Sequence, residues 1–309
     1  MKGVIILPKY LESLWTPKIN ADGLDFSGIL SAHAPFYYAL RDFFKFELRY
    51  VDEVDVDSDT DIVFIFGVPY HNRPKLIPGI LELNKNTKLV LYPGDLQCYG
   101  SKLCLKNKIK VFKKSDLIIT PVYEYFVKTY PQFMSKYEFF PNFFSTHTRY
   151  IKLPFNDNPK MQCLLSGSLN SKIYPLRSFI KKDNSGMVIY KPPKYLGDSY
   201  AELLHSYFCC VTSSSIFNYV IAKYFEIPAT GSLLLANETE DLKRVGFIPN
   251  HHYVPITKDN VFKTIDLCIK NPNDYTHIRK NGMEFVRNNH SVLNRVERLG
   301  EIFDNLLNA

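Results

Sequence analysis

"KYFEIPATGSLLLAN", residues 223–237, sets one acid, one proline and one glycine ahead of a run of leucines. Proline lacks an N–H and is tolerated in the first turn of a helix, which predicts a helix start near Glu226 or Ile227. Gly231 can end that short helix, and "SLLLA", opened by Ser232, reads as a buried strand. Glu226 then stands at a helix N-terminus. A carboxylate there can accept two hydrogen bonds from the vicinal diol of a ribose, and free amides beside it suit a diphosphate. Lys223, one turn earlier, can supply a point charge to the same anion. The plain alternative is that Glu226 caps its own helix and Lys223 is solvated.

Outward from this stretch the chain keeps one rhythm. "GVIIL" (3–7), "FELRYV" (46–51), "DIVFIFG" (61–67), "KLVLYPGD" (88–95) and "DLIITP" (116–121) are short apolar runs bounded by Gly, Pro or Asp. Their continuous apolarity suggests strands covered on both faces, as in a parallel sheet. "APFYYALRDFF" (34–44) between them has helical spacing. "FFPNFFSTHTRYIKLPFNDNPKM" (139–161), with three prolines, reads as a linker. The rhythm restarts with "QCLLSGS", "GMVIY", "YFCCVTS" and "SLLLAN". Two helices close the chain; the last carries Val292, Val296, Leu299, Phe303 and Leu306 on one stripe. These features predict an α/β protein of two facing, Rossmann-like, doubly wound domains, residues 1–150 and 151–290. A terminal helix, 291–309, crosses back to the first. In such sheets ligands collect at the carboxyl ends of strands.

The 309 residues are 46% hydrophobic and 15% aromatic, enough for two cores and against general disorder. A formal charge of +7 favours anionic partners without choosing among them. Six cysteines without zinc-ligand spacing read as reduced core thiols in a cytoplasmic setting. "MKGVIILPKY" is too short an apolar run for a signal peptide, and "SYFCCVTSSSIFNYVIAKYF" is too interrupted for a membrane span. "DEVDVDSDTD" (52–61) contains Asp-x-Asp but precedes its strand, so it reads as a solvated acidic run and not as a metal site. "HHY" (251–253) lacks a third metal ligand. No metal or cofactor is expected. "SKLCLKNKIKVFKK" (101–114) carries six lysines and no acid. Its segment Lys102–Lys114 reads as a solvated face, with peripheral contact to an anionic membrane as the alternative. No nucleic-acid motif accompanies these lysines, so nucleic acid is not an expected partner.

"AKYFEIPATGSLLLAN" resembles the nucleotide-sugar site of GT-B glycosyltransferases of family-1 type, particularly the CgeB-like, spore-maturation-type group. Lys223 matches the basic position, Glu226 the ribose-binding acid and Gly231 the glycine. "DLKRVGF", "YVPITKDN" and the closing "CIKNPNDYTHIRKNGMEFVRNNHSVLNRVERL" follow in the family's order. The resemblance runs best from Leu164 to Phe303. Related enzymes carry a second Glu eight residues before the ribose acid, where this chain has Asn218; an amide can still bind a sugar but carries no charge. In "LLSGSLNSKIYPLR", Gly167 and Ser168 follow a strand and can cradle phosphate. The family's Tyr-Pro-x-Arg is matched by Tyr174, Pro175 and Arg177. Arg177 could reach the diphosphate or lock a helix to the sheet. Ser213 in "VTSSS" sits at another strand end, and Tyr190 is placed to border the base.

The resemblance implies a metal-independent transferase that moves a sugar from a nucleotide-diphosphate sugar to a glycan or glycoconjugate hydroxyl. An inverting reaction needs a base for the acceptor hydroxyl. Candidates are Asp95, ending a strand in "YPGDLQ", and His33, at a helix start in "SAHAPFYYAL", with Asp22 and Asp25 as rivals. A non-catalytic nucleotide-sugar or glycan binder with the same fold is the competing reading.

Overall fold

The computed structural model describes residues 1–7, 9, 18–20, 23–25, 34–67, 76–144, 149–183, 185–192 and 197–309. The chain divides into two compact units. The first holds Met1–Thr16, Phe36–Pro141 and Val296–Ala309; the second holds Asn142–Arg295 together with the hairpin of β2 (Lys18–Asn20) and β3 (Gly23–Asp25).

In the first unit, β1 (Gly3–Leu7), β4 (Glu47–Tyr50), β5 (Ile62–Phe66), β6 (Lys88–Tyr92), β7 (Leu117–Thr120) and β8 (Tyr137–Phe139) form a sheet in the order β4-β1-β5-β6-β7-β8. Each neighbouring pair is parallel. Every residue of β1 and β5 is buried, as an apolar run covered on both faces requires. Helix α1 (Ala34–Phe44) brings Phe36 against Phe64, Phe66, Tyr92 and Phe140, with ring centroids 5.0–5.5 Å apart. Two more helices, α2 (Leu76–Glu82) and α3 (Lys102–Lys114), and the shorter α4 (Glu124–Thr129) complete the unit.

The second unit carries β9 (Lys160–Ser166), β10 (Val188–Lys191), β11 (Tyr207–Thr212), β12 (Leu233–Ala236) and β13 (Val254–Pro255), all parallel, in the order β10-β9-β11-β12-β13. The connections are α5 (Pro175–Ile180), α6 (Gly197–His205), α7 (Lys223–Ala229) and α8 (Glu240–Arg244), followed by α9 (Val261–Lys270) and α10 (Pro272–Asn289). Strand order reverses between β9 and β11, and that switch point is where such sheets open a crevice at their carboxyl ends. Helix α10 also fastens the proline-rich segment. Arg287 donates to the carbonyls of Tyr150, Leu153 and Ala229, and Arg279 to those of Asn156 and Gly231.

The final helix, α11 (Val292–Asn308), belongs to the first unit from Val296 onward. There Phe303 is fully buried, stacked on Phe46 at 5.5 Å and edge-on to Phe44 at 5.2 Å. Among the described residues no helix is long and apolar enough to cross a membrane.

Candidate functional site

Helix α7 starts at Lys223, three residues earlier than the sequence reading places it, and Pro228 lies inside the helix and not in its first turn. A proline there removes only the bond it would give to Tyr224, and the helix ends one residue later, at Ala229. Gly231, at φ +78°, then turns the chain toward β12. The shift changes the anion argument. The amides of Phe225 and Glu226 both donate to the Ala222 carbonyl at 2.9 Å, and that of Tyr224 to Ile221 at 3.0 Å. They are engaged within the turn and so are not free for an anion.

Cationic side chains gather around Gly167, just past β9. Its φ of +103° is a conformation L side chains rarely adopt, and a Cβ built there would lie 2.9 Å from Lys223 Cε. Lys223 Nζ donates to the Tyr200 hydroxyl at 2.9 Å, and that hydroxyl also meets Ser166 Oγ at 2.9 Å. Burial alone would make Lys223 give up its proton more easily; Tyr200 and the Glu226 carboxylate outweigh it and raise the lysine's pKa. The ammonium is therefore held charged beside the switch point. Arg177, 2% exposed, lies under the same loop. Its guanidinium donates to the Ser213 carbonyl and stacks over the Tyr174 ring at 3.9 Å. It thus locks α5 to the end of β11 while lying 3.6 Å from the Gly167 Cβ position.

Glu226 is 2% exposed. Its charge is felt by Tyr150 and Tyr200, whose phenols are raised first by burial and further by this carboxylate. Tyr150 lies on the 3₁₀ turn Arg149–Ile151, its hydroxyl beside Glu226.

A cavity of about 850 Å³ opens at the carboxyl ends of β11, β12 and β13, against α5. Pro175, Leu176, Phe179 and Ile256 give it apolar walls; Ser213–Ser215, Asn237 and Thr257 give it polar ones. Its size suits a nucleotide-like ligand. Asn237 Oδ1 accepts from the Ser214 amide at 2.8 Å and the Tyr224 hydroxyl at 2.9 Å, which fixes the amide at the mouth of β12. Behind this wall the Ser213 and Thr212 hydroxyls and Arg177 Nε are buried without a hydrogen-bond partner among the described residues. Of the residues singled out in the sequence, Ser213 and Pro175 line the cavity; Lys223 and Glu226 do not.

The remaining expectations divide. Tyr190 donates to the Gly167 carbonyl at 3.3 Å and so is tied to the Gly167 loop. Ser168 is exposed at the tip of that loop. Ser232 is occupied structurally, its hydroxyl on the carbonyls of Leu204 and Tyr207, and Gly231 packs against Met283 and Phe155. Asp95 is exposed in the loop after β6, and His33 lies outside the described residues. In the acidic run, Asp57 and Asp59 hold Lys2 Nζ at 2.9 and 2.7 Å. His252 stacks on Phe285 at 4.0 Å and accepts from the Ile248 amide. Sequence reasoning missed the cavity walls Leu176, Phe179, Asn237 and Thr257. Asn237 closes the very stretch that decided the fold, and its position at a strand end was the available signal.

Residues 154–301, just under half of the chain, match the family model described as "Glycosyl transferase-like". No curated protein matches the sequence. Among solved structures, HepE of Anabaena in complex with UDP and glucose aligns over 99% of this chain and 100% of its own, with a TM-score of 0.64 at 9% identity. Sucrose-phosphate synthase from Thermosynechococcus elongatus aligns over 99% of each chain, at 0.60 and 12%. An alpha1,3-fucosyltransferase with GDP aligns over 100% of this chain and 90% of its own, at 0.58 and 13%. TarM, at 0.55 and 13%, aligns over 84% of this chain and 56% of its own, so this chain spans little more than half of TarM. The fold is the GT-B fold of two Rossmann-like domains. Within it, residues 154–301 are the part similar to the glycosyl transferase-like family.

Proposed function

We propose that the protein is a glycosyltransferase that uses a nucleotide-diphosphate sugar and transfers its sugar to a glycan or glycoconjugate hydroxyl. The observation that carries this reading is the cluster at the switch point of the second sheet. There a left-handed Gly167 lies against Lys223, which Tyr200 anchors and which shares the first turn of α7 with Glu226. Lys223 and the Gly167–Ser168 loop would hold the diphosphate and stabilise it as it leaves, a role cationic donors can fill without a metal. The cavity at β11–β13 would take the base. Glu226 would accept the ribose hydroxyls; because it is buried, the turn carrying Tyr150 must yield as the nucleotide enters. UDP and glucose in HepE and GDP in the fucosyltransferase support this donor class.

On the acceptor side Asp95, exposed at the carboxyl end of β6, is the base we assign to an inverting reaction. The α3 helix exposes Lys102, Lys106, Lys110 and Lys113 together with Leu103 and Leu105, which suits peripheral contact with an anionic membrane. A non-catalytic nucleotide-sugar binder is the rival reading, favoured by the uncharged Asn218. Thermal-shift screening against UDP, GDP, dTDP and their sugars, followed by mass spectrometry of acceptor mixtures, separates the two. Stabilisation with a glycosylated product supports a transferase; stabilisation without product supports the binder; no stabilisation by any nucleotide removes both.

A further inference from the structure

Cys98 and Cys104 belong to the first unit. Both are free thiols, and their sulfurs are 2.7 Å apart. That is inside the ~3.5–4 Å at which unbonded heavy atoms rest, and roughly 0.7 Å longer than a disulfide bond. The local chain is shaped to hold them there. The Ser101 amide donates to the Cys98 carbonyl at 2.9 Å, closing a four-residue turn. Its central residues, Tyr99 at φ +46° and Gly100 at φ +80°, are both left-handed, the pattern of a type I′ turn. A tyrosine seldom adopts this conformation, and its hydroxyl is held by Gln97 Nε2 at 2.8 Å. Ser101 then caps α3 by accepting from the Cys104 amide at 3.2 Å. Turn and cap together press Cys98 onto the first turn of the helix. Cys98 is half-buried and Cys104 is 1% exposed.

We propose that Cys98 and Cys104 are a thiol-oxidation site that reacts with small-molecule disulfides and closes to an intramolecular disulfide. The more exposed Cys98 thiolate attacks one sulfur of the disulfide RSSR and expels RS⁻, which takes up the proton Cys98 released. Cys104 then loses its proton and attacks the Cys98 sulfur of the mixed disulfide, expelling the second RS⁻, which is protonated in turn. Two protein S–H bonds and one small S–S bond are replaced by one protein S–S bond and two R–SH. Burial pushes the Cys104 thiol up to about 12, which leaves the first attack to Cys98; the 2.7 Å approach of the two sulfurs is what favours the second, intramolecular step. Lys108, one turn further along α3, interacts with both sulfurs and donates to the carbonyls of Asp95 and Leu96. Burial lowers the pKa of Lys108 and the two thiols oppose that shift; as an ammonium it favours the thiolates. The new ring would tether the loop after β6, which carries Asp95, to α3.

The test uses the full chain, incubated with oxidised or reduced glutathione, unfolded, alkylated and peptide-mapped. The expected result is a fall from six alkylated cysteines to four, with the missing labels on Cys98 and Cys104 and restored by dithiothreitol. The oxidised form should melt about 3–6 °C higher. In Cys104→Ser, glutathione should stay on Cys98, while the unsubstituted protein sheds it. Six alkylated cysteines after oxidation, or glutathione held on Cys98 as long with Cys104 present as without it, overturns the proposal.

Discussion

Gly167→Ala perturbs stability and binding by amounts that follow from one geometry. The position has φ +103°, which costs about 1–3 kcal/mol for a residue with a side chain. The added methyl would also meet Lys223 Cε at 2.9 Å. Lysine has a flexible stem, so it can swing aside, but only by leaving the Tyr200 hydroxyl that holds its ammonium at 2.9 Å. If Lys223 faces the diphosphate, the displacement removes one charge-assisted contact, about 1.5–3 kcal/mol, or roughly 10- to 150-fold in Kd. The assay pairs thermal melting with calorimetric titration of UDP and GDP. A folded variant with a lower melting temperature and correspondingly weaker nucleotide binding is the expected outcome. A lower melting temperature with unchanged affinity would show that the Gly167–Lys223 contact is only structural, and would refute the phosphate assignment.

Asp95→Asn should leave nucleotide binding intact and slow sugar transfer by about 10²–10⁴-fold; an unchanged transfer rate removes Asp95 as the base. Burial, with Arg295 beside it, pushes the His290 imidazole down to about 3, so the unfolded chain binds a proton there that the folded chain refuses. Stability should therefore be highest above pH ~6.5 and fall as the pH drops toward 3, by ~2 kcal/mol at pH 5. Urea titrations at pH 7.5 and 5.0 should show that loss shrinking in His290→Gln, and an equal loss in both proteins contradicts it. Replacing Lys102, Lys106 and Lys110 together by Glu should abolish co-sedimentation with vesicles rich in phosphatidylglycerol; no binding by the unsubstituted protein removes the membrane contact.

Much of the architecture is legible because continuous apolar runs bounded by Gly, Pro or Asp admit few solutions. "GVIIL" and "IVFIF" are buried from end to end as β1 and β5, and "YFCCVT" is buried throughout as β11. The helix holding Glu226 was harder to place. A proline is compatible with the first turn, but here Gly231 ends the helix so soon after Pro228 that little is lost by placing it late. The predicted linker is likewise proline-rich, yet Arg279 and Arg287, far along the chain, clamp its carbonyls. No local pattern announces such long-range partners. Lys108 shows the same limit. Among six lysines on one run it reads as solvated, but its place on α3 aims it inward at backbone carbonyls, and it is fully buried. At the candidate site, Gly167, Lys223 and Arg177 stand out in the sequence by residue type, and the structure brings the three together. The cavity walls do not, since Leu176, Phe179 and Thr257 are ordinary residues made into a pocket only by the sheet order.

The central claim is that Glu226 grips a ribose, and calorimetry of ribose against deoxyribose tests it most directly. UDP and GDP would be titrated beside their 2′-deoxy counterparts, into the unsubstituted protein and into Glu226→Ala. The account predicts that the nucleotide that binds loses roughly 10- to 150-fold in affinity on removal of its 2′-hydroxyl, and that the variant binds both forms equally weakly. Equal affinity for the two forms in the unsubstituted protein, or a preference that survives in Glu226→Ala, would contradict it.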